Sequence, residues 1–210
     1  MAQYLKDEIQ ARIHDAALAL FALKGFGRAT VAEIARRAGI STGNVYRYYP
    51  GKQELFDAVV PAGLASDLRH LVHRRVRALA GVADARTLGP ATPYRQLSEE
   101  LLAFAIEHRL EVIILLGRAE GTRHEAFAGA LRRELEALAV AHFGREPSSV
   151  SADASMKFTL DRVYRNWIQT LVAILEAFED ERGIRKAVER FSAYHLAGLK
   201  GLFEERAGTR

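Results

Sequence analysis

Apolar residues along this chain recur at spacings of three and four, and polar residues between them fall into faces rather than alternating. Ile9, Ile13, Ala17 and Leu20 lay one stripe along a helix predicted from Leu5 to Lys24, which Gly25 and Gly27 should end. Thr30 with Glu33 three residues on makes a capping box for a second helix that stops at Gly39. Ser41 caps a third, short helix to about Tyr48, and Pro50-Gly51 breaks the chain again. A fourth helix starts near Lys52, with a kink or break at Pro61 and Gly63, and Leu64, Leu68, Leu71 and Val72 carry the spacing on toward Leu79. Residues 81–93 hold Gly, Pro and Thr and read as a loop. Leu97, Leu101 and Phe104 mark a helix from about Tyr94 to His108. The run Val112 to Leu116 is apolar all round and should be buried.

Later in the chain, Phe127, Leu131, Leu135 and Leu138 mark a helix from about Glu125 to Phe143, with a loop over 144–151. Two long helices finish the pattern, about Ala152 to Phe178 and Ile184 to Arg206. The first carries Met156, Leu160, Val163, Trp167, Leu171, Ile174 and Phe178; the second carries Ile184, Val188, Phe191, His195 and Leu202. No strand pattern and no internal repeat is present. The fold class expected is all-α, with a three-helix N-terminal domain over residues 1–52 and a larger helical domain over 53–210.

Composition narrows the function classes. At 49% hydrophobic and 27% charged residues, the 210-residue chain has the profile of a soluble globular protein. It contains no cysteine, so disulfides and thiolate metal sites are excluded. The charged opening MAQYLKDEIQ is unlike a secretory leader, and no apolar run approaches the ~20 residues of a membrane span, so a cytoplasmic location is expected. Net charge is only +4. Between Arg28 and Lys52, however, five basic residues (Arg28, Arg36, Arg37, Arg47 and Lys52) face one acid, Glu33. A small basic patch on a near-neutral body suits phosphate binding.

The segment from Val31 to Tyr48 has helix-turn-helix spacing. Ala35 is small where two helices cross, Gly39 occupies the turn, and Val45 faces back into a core with Ile34 and Ile40. The second short helix then presents Thr42, Gly43, Asn44, Tyr46, Arg47 and Tyr48. Asn44 suits an adenine edge and Arg47 a guanine or phosphate; Thr42 suits a thymine methyl. The tyrosine hydroxyls can reach phosphates, Lys52 can grip the DNA backbone, and the capped helix starts at Thr30 and Ser41 are natural phosphate sites. A helical hairpin with surface tyrosines is the plainer alternative, but it must account for the glycine turn, two caps and local basicity together.

These residues carry a resemblance. The run TVAEIARRAGISTGNVYRYYPGKQELFDAVV resembles the N-terminal domain of the TetR family of bacterial repressors, over roughly residues 10–60. The resemblance implies an all-α homodimer of nine or ten helices, with Thr30, Thr42, Asn44, Tyr46, Tyr48 and Lys52 at DNA-contacting positions. Gly43 stands where family members vary and removes a side chain from the reading surface. The rest of the chain matches in length and helical character only. There the resemblance implies a small-molecule effector pocket and dimerisation through the last two helices, whose seams could close a four-helix bundle across a two-fold axis.

Candidate pocket residues are Phe104, His108, Leu116, Phe127, Tyr164 and Trp167, aromatic or apolar with a few polar tips; each also reads as plain core. No cofactor is expected. His70 and His73 share a helix face, but Arg69, Arg74 and Arg75 beside them would repel a metal cation. No Ser-His-Asp order, phosphate loop or carboxylate pair supports catalysis. The expected partners are therefore a double-stranded DNA operator, a small-molecule effector and a second copy of the chain. The competing classes are a helical small-molecule-binding protein or enzyme with an incidental helix-turn-helix, and a non-specific nucleoid-type protein.

Overall fold

The computed structural model describes residues 2–82, 84–143 and 154–204. Ten α-helices and one short 3-10 turn make up its regular structure, and no strand occurs among the described residues. The helices are α1 (Ala2–Lys24), α2 (Val31–Ala38), α3 (Thr42–Tyr48), α4 (Lys52–Val59) and α5 (Ala62–Arg77), then α6 (Pro93–Glu107), α7 (Arg109–Gly117), α8 (Phe127–Phe143), α9 (Ala154–Ala177) and α10 (Glu181–Glu204). The loop expected over 81–93 holds the 3-10 turn Ala85–Thr87, which Asp84 caps by accepting from the Arg86 amide at 2.9 Å. The break near Pro61 is complete: α4 stops at Val59 and α5 starts at Ala62. The loop expected over 144–151 lies outside the described residues.

The chain divides into two compact units, Met1–Asp67 with His108–Phe127, and Leu68–Glu107 with Ala128–Arg210. The sequence-based boundary at 52 differs from this division. The apolar faces of α4 and α7 have their burial partners on α1, so both helices pack into the first unit. Its core holds Ile13, Ala17, Phe21, Ile34, Val45, Leu55 and Phe56, and Val112 to Leu116 are all buried as their continuous apolarity requires. Phe21, Phe26 and Phe56 form an aromatic triangle with centroids 5.3–5.9 Å apart. Polar anchors surround that core. Arg118 donates to the Ala22 carbonyl at 3.3 Å, Arg123 pairs with Asp57 at 3.2 Å, and His124 lies 3.2 Å from the Val60 carbonyl.

In the second unit α10 packs on α9, α6 and the 3-10 turn. On α9 the buried stripe is Met156, Leu160, Tyr164, Ile168, Val172, Ile174 and Leu175. Met156, Leu160 and Ile174 of the expected seam are in this stripe, but Val163, Trp167 and Leu171 are half-buried and Phe178 is exposed, because between Leu160 and Ile174 the buried face lies about one position further on. On α10 Ile184 and Leu199 are buried, while Val188, Phe191, His195 and Leu202 are half-buried. Part of each seam thus stays accessible to solvent. Charge pairs tie the helices together: Arg132 on α8 bonds Asp161 on α9 and Glu136 one turn on, and Arg185 on α10 reaches Glu99 on α6 at 2.5 Å.

Candidate DNA-binding surface and effector cavity

The helix-turn-helix assembles from local rules. At the start of α2 the Thr30 hydroxyl accepts from the Glu33 amide at 3.2 Å, and the Glu33 carboxylate accepts from the Thr30 amide at 3.1 Å. Lys24 closes on the same carboxylate at 2.6 Å. Hydrogen bonds from Lys24 and Thr30 hold the Glu33 carboxyl at a pKa of about 2, so it stays ionised throughout the neutral range. At the other end Gly39 takes φ 67°, ψ 36°, a left-handed cap that only glycine adopts without strain. Arg12 from α1 reaches over this turn and donates to the carbonyls of Ala38 and Gly39. Ser41 then caps α3 by accepting from the Asn44 amide at 3.3 Å.

One face of α3 is locked and the other is presented. Val45 is 1% exposed, and Tyr49 just past the helix is buried with its hydroxyl 3.5 Å from Gln10. Ser41, Thr42, Gly43, Tyr46 and Arg47 are exposed, Tyr46 at 51%, while Asn44 and Tyr48 are half-buried. Gly43 has open space where a Cβ would stand. Arg47 pairs with no carboxylate among the described residues, and Arg36 and Arg37 at the end of α2 are likewise exposed. The expected DNA-contacting side chains of α3 thus share one surface, with Thr30 exposed at the start of α2.

Lys52 is placed differently from a free phosphate clamp. Its ammonium donates to the carbonyls of Phe26 (2.9 Å) and Ala29 (3.1 Å) and stands 4.3 Å from the centroid of the Phe26 ring. Two of its three donors therefore serve the α1–α2 turn. The α2 N-terminus likewise carries the Glu33 carboxylate, which occupies the Thr30 amide. Sequence reasoning missed Arg12 and Lys24 as supports of this surface, because their partners lie on separate segments and leave no local spacing signature.

Comparison with known proteins bears on the N-terminal residues. Residues 13–59 match the model of the bacterial regulatory proteins of the tetR family. That stretch is therefore similar to the N-terminal domain of the tetR-family regulators. An uncharacterised helix-turn-helix-type transcriptional regulator of Bacillus subtilis, YfiR, is 38% identical over 66 residues, 31% of this chain and 32% of that protein. SrpR, a helix-turn-helix-type regulator of Pseudomonas putida, is 44% identical over 54 residues, 26% of this chain and 25% of that protein. The matches thus span only about a third and a quarter of these relatives' lengths. A TetR-like regulator from Rhodococcus sp. RHA1 superposes over 96% of this chain and 97% of its own at 25% identity, with a TM-score of 0.40.

The second unit holds a partly open cavity of about 50 Å³. Arg75 from α5, Leu135 and Leu138 from α8, Tyr164 and Trp167 from α9, and His195 from α10 are among its walls. Of the expected pocket residues, Tyr164 and Trp167 line it. Phe104 on α6 is half-buried and does not line it; His108, Leu116 and Phe127 belong to the first unit. Leu116 is buried as core because α7 is apolar all round. The ring of His195 meets Tyr164 edge-on at 5.5 Å and lies 5.9 Å from Trp167. Burial, with the charge of Arg75, pushes the His195 pKa down to about 4, and burial raises that of Tyr164 above the usual phenol range. Both are neutral at pH 7. His195 had been visible only as one step in a helical seam.

Among the described residues no group of three or more His, Cys, Asp or Glu could hold a metal ion. His73 sits 2.8 Å from Glu134, which also binds Arg69. None of the described helices is long and apolar enough to cross a membrane.

Proposed function

We propose that this chain is a ligand-responsive transcriptional repressor that binds a palindromic operator as a homodimer and is released by a small-molecule effector. The observation that carries the reading is the presentation of exposed Thr42, Tyr46 and Arg47, with half-buried Asn44, on α3 while Val45 anchors the helix in the core. A rigid, short helix with a polar outer face is the element that enters a major groove. Arg47 and Asn44 read base edges; Thr30, Ser41, Tyr46 and Tyr48 hold phosphates. Lys52 contributes chiefly by fixing the turn from which α2 starts, with its remaining donor toward the DNA backbone.

Dimerisation through α9 and α10 is supported by apolar surface left open there. Tyr194 is 73% exposed and Phe158 63%, and Ala193, Ala197, Gly198 and Gly201 continue an exposed, small-residue face on α10. A Cβ at Gly198 or Gly201 would meet nothing, so a second helix can approach closely. A two-fold pair of such chains sets two recognition helices about 34 Å apart, one helical turn of DNA. An effector that prefers a state with different spacing weakens DNA binding, and DNA weakens effector binding by the same factor.

The test is anisotropy of a labelled duplex recovered by selection, with the unaltered chain and with Arg47→Ala and Asn44→Ala. Each variant should lose about 1–3 kcal/mol of binding and relax preference at one base position in each half-site. Unchanged affinity in both would remove α3 as the reading helix.

A further inference from the structure

We propose that the cavity in the second unit takes a small aromatic monocarboxylate, with the carboxylate on Arg75 and the ring against Tyr164 and Trp167. The inference rests on the effector reading above and names the chemistry of that effector.

Arg75 is the reason for an anion. Its Nε donates to the Ser98 hydroxyl at 2.9 Å and its Nη2 to the Tyr94 hydroxyl at 2.5 Å, and its Cζ lies 4.8 Å from the centroid of the Tyr94 ring. Every one of these partners is neutral. They fix the guanidinium without cancelling its charge. No carboxylate pairs with Arg75 among the described residues, whereas Arg69, Arg74, Arg132 and Arg185 in the same unit each hold one. A fixed and uncompensated guanidinium on the wall of an apolar cavity favours an anion there, and its planar fork matches a carboxylate.

The rest of the wall selects the body of the ligand. Leu135, Leu138 and Leu199 are apolar, and Tyr164, Trp167 and His195 supply ring faces and edges. Arg75 is the one arginine or lysine in the lining, which also holds His142, and His195 is held neutral by burial beside it. A single fixed positive charge suits a monoanion better than a phosphate dianion. Ser192, one helical turn before His195, adds a hydroxyl to the polar end of the lining.

Size makes the site regulatory. The cavity measures about 50 Å³, while one that holds benzene is on the order of 150 Å³. A ring therefore does not fit the space as it stands, and seating one shifts the groups that wall it. The bound state then differs from the one described, as an effector's differential affinity requires.

Trp167 is the chain's single tryptophan and lines this cavity, so its emission reports on occupancy. The experiment is titration of the full chain with benzoate and with benzamide, a neutral molecule of nearly the same shape, following Trp167 fluorescence. Benzoate should shift the emission saturably and bind at least about tenfold more tightly than benzamide. Arg75→Gln should abolish that preference, and Arg75→Lys, which keeps the charge without the fork, should reduce it. The benzoate–benzamide contrast on the unaltered chain needs no variant to fold. Equal binding of the two compounds, no saturable change with benzoate, or a preference that persists in a folded Arg75→Gln protein overturns the proposal. DNA selection on the same preparation, without any ligand, separates its failure from that of the regulator reading: a recovered operator with no benzoate preference sinks the carboxylate alone.

Discussion

The ammonium of Lys52 sits 4.3 Å from the centroid of the Phe26 ring while donating to the Phe26 carbonyl at 2.9 Å. The contact joins the first turn of α4 to the connection between α1 and α2, and it makes Lys52 a structural residue of the first unit. Lys52→Ala should lower the stability of that unit by about 1–3 kcal/mol, because two charge-assisted hydrogen bonds and a cation–π contact are lost together. Arg47→Ala, which removes an exposed side chain with no carboxylate partner, should leave stability within about 0.5 kcal/mol of the parent. Chemical denaturation of the two variants, read beside their DNA affinities, checks the contrast. A Lys52→Ala protein of unchanged stability would return that residue to a purely DNA-facing role.

Gly39 should not tolerate a side chain. Its φ of 67° lies in the left-handed region, and a Cβ there would come within 2.6 Å of the Arg12 guanidinium, the flexible end of a side chain. Gly39→Ala should cost about 1–2 kcal/mol for the backbone, and the displaced Arg12 should lose its bonds to Ala38 and Gly39. The variant's melting temperature should fall by several degrees, with operator affinity at low temperature falling much less.

Which parts of this were legible in the sequence follows from the range of the interactions. The capping box at Thr30 and Glu33, the turn at Gly39 and the cap at Ser41 all lie within four residues, so their spacing announces them. Val112 to Leu116 announced its burial through continuous apolarity. The faces of α9 and α10 were less clear. Helical periodicity locates a stripe only to within about one residue, so Trp167 and Leu171 were expected inside where Ile168 and Val172 are the buried pair. The cavity was least visible. Arg75 and His195 are 120 positions apart in the sequence, and Phe104 and His108 carry the same aromatic-and-polar chemistry without sharing its wall.

His195 gives the second unit a pH dependence with a definite sign. Its pKa is about 4 in the fold against an ordinary value of 6.5. Between these values the unfolded chain binds more protons than the folded one, so stability rises with pH through this window. The contribution is fully present above about pH 6.5, is lost as pH falls toward 4, and amounts to at most about 3 kcal/mol. Carboxylates such as Glu33 add their own acid sensitivity at lower pH. His195→Gln should therefore reduce the difference in unfolding free energy between pH 7.5 and pH 4.5. An identical difference in parent and variant would show that His195 protonates freely in the folded state.

Tyr194 tests the assembly. It is 73% exposed on α10, beside Ala193, Ala197 and Gly198. Tyr194→Glu would place a charge in the middle of a buried interface, at a cost of several kcal/mol if unpaired. Sedimentation should show a dimer for the parent and a monomer for the variant, with helix content unchanged. A variant that stays dimeric at the same concentration would move the interface to another face.

The central claim is that α3 reads DNA as one half of a symmetric pair. Its most direct test is selection of random duplex DNA on the purified full chain at near-physiological salt, followed by sequencing of what is retained. The account predicts an approximate palindrome whose half-site centres lie about 10 base pairs, one helical turn, apart. Retention of no sequence, or of all sequences equally, would contradict it.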